Sequence, residues 1–114
     1  MKSNELGVEK YYQDGKVAVL ISPGYGAGWS TWGRQELAYD KRVVEFWFEH
    51  HNENPNKING VKELFKSWGY GYVYFGGWCQ IELAWVPVGS IIRINEYDGF
   101  EELIYLEEDD YFVV

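Results

Sequence analysis

The sequence is poor in the residues that build disulfide frameworks and metal sites. Its 114 residues include one cysteine, Cys79, so no intrachain disulfide can form and a secreted disulfide scaffold is excluded. Cys79 has no Cys-x-x-Cys partner and falls in a strand-like stretch, where the expected role is that of a small buried hydrophobe. The only histidines, His50 and His51, are adjacent, and neighbouring helical positions point about 100° apart, which hinders binding of one ion by both. No metal or other cofactor is expected. No apolar run approaches the roughly 20 residues of a membrane span, and the first ten residues are polar and mixed in charge, unlike a signal peptide. The expectation is a cytoplasmic protein, in a reducing compartment, that does not engage membranes.

Cations are scarce toward the C-terminus. Residues 1–67 hold nine acids and nine bases, whereas residues 68–114 hold nine acids and only Arg93, so the net charge of −8 arises entirely in the second stretch. Such a field repels nucleic acid and attracts basic protein surfaces. Glu101, Glu102, Glu107, Glu108, Asp109 and Asp110 are the candidate contacts to a host protein of that kind, with a plain solubilising face as the alternative.

Aromatic residues, by contrast, are abundant: six tryptophans, ten tyrosines and six phenylalanines. A core this small seldom hides so many completely, so some are expected to face a ligand or partner. The length suits a single domain over residues 1–114.

Residues 8–13, Asp14-Gly15 and residues 16–22 read as a hairpin, because Asp-Gly supplies the positive φ angles of a type I′ turn. Residues 17–21 are apolar at every position, the mark of a strand buried on both faces. Asp40 is a candidate N-cap for a helix to about His51 with Val43, Val44, Trp47 and Phe48 facing the core. A second helix over residues 58–68 places Val61, Leu64, Phe65 and Trp68 on one side, with Gly69 as its C-terminal stop. Thereafter the period is two: residues 72–75 and 78–86 read as one hairpin and residues 90–97 and 100–106 as another around Asp98-Gly99, followed by a short strand over 111–114. The predicted class is α+β, a mainly antiparallel sheet of about five to six strands with two helices packed on one face.

The unusual segment is Ser22-Pro23-Gly24-Tyr25-Gly26-Ala27-Gly28-Trp29-Ser30-Thr31-Trp32-Gly33. Its glycines allow close approach of backbone to a ligand, its amides can form an anion-binding nest, and its rings suit stacking on a base. A phosphate-binding P-loop is excluded because no lysine follows the glycines. The dinucleotide fingerprint fails at Trp29, and Gly28-Trp29-Ser30-Thr31-Trp32 lacks the final glycine of a nucleophile elbow. With no triad legible, a non-catalytic ligand site is the expected reading, formed by Ser22, Tyr25, Gly26, Gly28, Trp29, Ser30, Thr31 and Trp32 and assisted by Arg93 and Glu96. The structural alternative is a tight crossing whose tryptophans fill the core.

This loop, together with Val86-Pro87-Val88-Gly89-Ser90-Ile91-Ile92-Arg93-Ile94-Asn95-Glu96-Tyr97-Asp98-Gly99, resembles a family of small bacteriophage and prophage proteins over roughly residues 16–104. The resemblance implies a setting, the host bacterial cytoplasm, and no catalytic residue. Accessory proteins of that setting often act against host defences by binding a host protein or by sequestering a nucleotide signal, and others are structural. A homodimer through an aromatic sheet face carrying Tyr70, Tyr72 and Tyr74 is a further expectation.

Overall fold

A computed structural model describes residues 8–24, 28–106 and 112–113. The chain is α+β, with strands β1 (Tyr12–Gln13) and β2 (Lys16–Ile21), helices α1 (Lys41–His50) and α2 (Val61–Ser67), then β3 (Glu82–Pro87), β4 (Ile91–Tyr97), β5 (Phe100–Leu106) and β6 (Phe112–Val113). The strands divide into two antiparallel sheets, β1-β2-β3 and β5-β4-β6, where the sequence suggests one. Both Asp-Gly turns form as their chemistry requires: Asp14 and Gly15 have φ of 53° and 78°, and Asp98 and Gly99 have φ of 50° and 86°.

The division explains the uniformly apolar β2. Ala18 and Leu20 point into a cluster with Val43, Val44, Phe46, Trp47, Val61 and Phe65 of the two helices. Val17, Val19 and Ile21 point the other way, against Val86, Tyr39 and Ile92, with Ile94 and Leu103 of the second sheet packed alongside. The first sheet is thus covered by helices on one face and by the second sheet on the other. Each fully buried aliphatic side chain of β2 contributes roughly 1.5–3 kcal/mol of transfer energy.

Asp40 caps α1 by accepting from the Arg42 amide at 2.9 Å. Phe46 rather than Phe48 completes the buried stripe, and Phe48 lies at the rim with its ring edge-on to Tyr11. α2 begins later than its apolar pattern suggests, buries Val61 and Phe65 while leaving Leu64 exposed, and stops before Gly69 at φ 100°. Residues 72–75 form no strand, which removes the aromatic sheet face proposed for a dimer: Tyr70 is buried, Tyr74 half-buried and Tyr72 exposed, each in a different environment. Cys79 lies in a 3-10 turn, Trp78–Gln80, and is exposed rather than buried. No helix among the described residues is long and apolar enough to cross a membrane.

The indole N–H of Trp47 is buried with no hydrogen-bond partner among the described residues. Trp47→Phe removes that unsatisfied donor while keeping a ring, so its cost should stay within about 1 kcal/mol, against roughly 3–5 kcal/mol for Trp47→Ala. Denaturant melts of the two variants check this.

Candidate functional site

The glycine- and tryptophan-rich loop leaves β2 at Ser22 and ends in a 3-10 turn, Ser30–Trp32. Trp29 is fully buried, its indole N–H donating to the Leu37 carbonyl at 3.1 Å and its ring meeting Trp78 edge-on at 5.4 Å. Ser22 and Ser30 are buried as well. These three residues are therefore part of the interior. Tyr25 and Gly26 lie outside the described residues.

The loop does form an anion nest, and the anion is the chain's own. The carboxylate of Glu101, 1% exposed, accepts from the amides of Ser22 at 3.0 Å, Trp29 at 2.8 Å and Thr31 at 3.0 Å, and from the Thr31 hydroxyl at 2.5 Å. Its own amide donates to the Ser22 carbonyl at 2.8 Å. Four donors converging on one carboxylate supply the hydrogen bonds that burying a charge requires. Glu101 is thus not a member of an exposed acidic surface: its strand position turns it inward while Glu102, next to it, is exposed. Glu107, Glu108, Asp109 and Asp110 lie outside the described residues.

Glu96 sits directly opposite Glu101 across the β4–β5 pair, so both carboxylates leave the sheet on the same face. Glu96 is exposed and accepts from the Gly99 amide at 2.7 Å and the Trp32 indole N–H at 3.1 Å. Arg93 is out of phase with Glu96 along β4 and leaves the sheet on the opposite face. Gly28 is a glycine by necessity, because a Cβ there would run into the Trp32 ring.

The Gly99 amide, and after it the Trp32 indole, hold the Glu96 carboxyl below the usual glutamate range. The sign follows: both bonds are present above the ordinary pKa and are lost only as pH falls through the lowered value. An NMR titration following the Trp32 indole N–H should show its transition below pH ~4.3, and Glu96→Gln should abolish it.

On the outer side of the loop, Trp32 is 40% exposed and its ring contacts Tyr74 at 5.0 Å. Tyr74 belongs to the wall of an open groove of about 670 Å³ between α2 and residues 71–76. Lys62, Lys66 and Asn56 line one side, Tyr72 and Tyr74 the other, and Phe65 and Phe75 also line it. Phe75 is anchored by packing against Phe65 at 5.3 Å and Trp78 at 5.6 Å. Sequence reading missed this groove because strand alternation accounts for the tyrosines and an exposed helix face for the lysines. The histidines are occupied locally, His50 beside Glu49 and Glu53 and His51 against the Trp47 carbonyl.

No protein-family model matches the chain, and neither a curated protein nor a solved structure matches it.

Proposed function

We propose that this chain is a non-catalytic binding protein that holds a small, planar, polar ligand in the groove beside Trp32, acting as an accessory factor in the phage setting its sequence resembles. The observation that carries the reading is the groove itself, whose volume of about 670 Å³ falls within the roughly 300–1,000 Å³ of small-molecule sites and which pairs aromatic walls with a few polar groups. The loop supports the site from behind: its amides are committed to Glu101, and what it offers outward is Trp32, which braces Tyr74.

Gly71 lines the groove, and a Cβ added there meets nothing within 4 Å, so Gly71→Leu adds bulk at the groove wall without crowding the fold. Calorimetric titration with nucleotides and cyclic nucleotides should give saturable heat with the wild-type chain and none with folded Gly71→Leu. No heat from any of them with the folded wild type overturns the reading.

A further inference from the structure

We propose that the ligand of this groove is an aromatic compound bearing a phosphate, its ring against Tyr72 and Tyr74 and its phosphate between Lys62 and Lys66; this rests on the groove's being a ligand site. Lys62 and Lys66 are one turn apart on α2, so both ammonium groups leave the helix on the same side, and both line the groove. Neither is in an ion pair among the described residues. Glu63 is the one carboxylate in the lining, which leaves a local positive excess in a chain whose net charge is −8. A phosphate, carrying close to two negative charges at neutral pH, fits that excess, and lysine is a common phosphate partner.

The aromatic half of the ligand follows from the opposite wall. Tyr72 is 79% exposed, with a ring face available for stacking. Tyr74 is fixed from behind by Trp32, itself tethered to Glu96. A glycine at position 76 is what lets the Tyr74 ring lie there, since a Cβ would strike its phenol end. The backbone amides of Tyr72 and Val73 donate to no described residue, and Asn56 adds a side-chain amide to the lining.

The test compares the four common nucleoside 5′-monophosphates with their nucleosides and with inorganic phosphate, on the wild type, Lys62→Ala/Lys66→Ala and Gly71→Leu. Alanine is a strong helix former, so the double variant should keep α2, which circular dichroism verifies. At least one monophosphate should bind the wild type about tenfold or more tighter than its nucleoside, the gain expected from two exposed charge contacts. The double variant should reduce that monophosphate to the affinity of the nucleoside, and Gly71→Leu should bind neither. Equal affinity of nucleosides and monophosphates, or a monophosphate affinity unmoved in the double variant, overturns the phosphate while leaving a ligand site standing. Binding of nothing by the wild type, or undiminished binding by Gly71→Leu, overturns both.

Discussion

Glu101→Ala should destabilise the protein by about 3–5 kcal/mol, a large fraction of the 5–15 kcal/mol that holds a typical domain together. The carboxylate is the shared acceptor for the Ser22 and Trp29 amides, both buried, and for the amide and hydroxyl of the more exposed Thr31. Truncation strands these donors and opens a void, and each stranded buried donor costs about 1–3 kcal/mol. Thr31 can turn to water, so most of the loss comes from Ser22 and Trp29. Glu101→Gln should cost less, about 1–2 kcal/mol, because its amide oxygen can take over the oxygen position shared by Trp29 and Thr31 while its nitrogen opposes only the Ser22 amide. Thermal melts should show the alanine variant lowered by roughly 10–20 °C and the glutamine variant by clearly less. A near-neutral glutamine variant would show that the side chain acts through packing alone, and equal losses that its amide cannot take over the acceptor role.

The second large effect is expected at Asp40, which is fully buried and serves two elements at once. Besides the α1 cap, its carboxylate accepts from Arg42 Nε at 3.1 Å and Nη2 at 2.8 Å and from the Tyr70 hydroxyl at 2.7 Å. Asp40→Ala removes the cap, worth about 0.5–2 kcal/mol, and strands the Tyr70 phenol, worth about 1–3 kcal/mol. Arg42 is partly exposed and returns to water, so the ion pair adds little, and the total should be about 2–4 kcal/mol. In a Tyr70→Phe background the same substitution should cost less, because no phenol is left stranded; a double-mutant cycle measures the difference.

Alkaline pH reaches the same cluster. Burial, and then the hydrogen bond to Asp40, raise the Tyr70 phenol well above its usual value, and burial raises Tyr39. Because the folded chain holds these protons more tightly than the unfolded one, the contribution is complete below pH ~10 and declines above it as the unfolded chain ionises. Stability should therefore fall on the alkaline side, with a shallower slope in Tyr70→Phe.

The parts legible in the sequence are those decided by near neighbours. Two Asp-Gly turns, the Asp40 cap, the Gly69 stop and the doubly buried β2 all follow from adjacent residues or from a continuous pattern. Residues 70–77 mislead because their alternating aromatics imitate a strand, whereas each ring is claimed by a different partner: Tyr70 by Asp40, Tyr74 by Trp32, Phe75 by Trp29 and Trp78. The loop is legible as an anion nest, but its anion is not. Nothing local separates Glu101 from the acids around it, and only its register opposite Glu96 and the approach of β2 to β5 turn it inward.

That arrangement has a consequence for the order in which the chain can fold. The Ser22, Trp29 and Thr31 amides bond a residue 70 to 79 positions later, and β2 waits nearly as long for its second strand partner, since Val17 pairs with Val86 of β3. During synthesis the loop is made well before its acceptor, so a nascent chain lacking β5 holds a completed β1–β2 turn beside a loop whose amides are still hydrated. Long-range closure of this kind slows the final step and places it late, after the local turns and helices. Emergence of β5, rather than formation of the first hairpin, should thus set the moment at which the Trp29 ring becomes shielded from water.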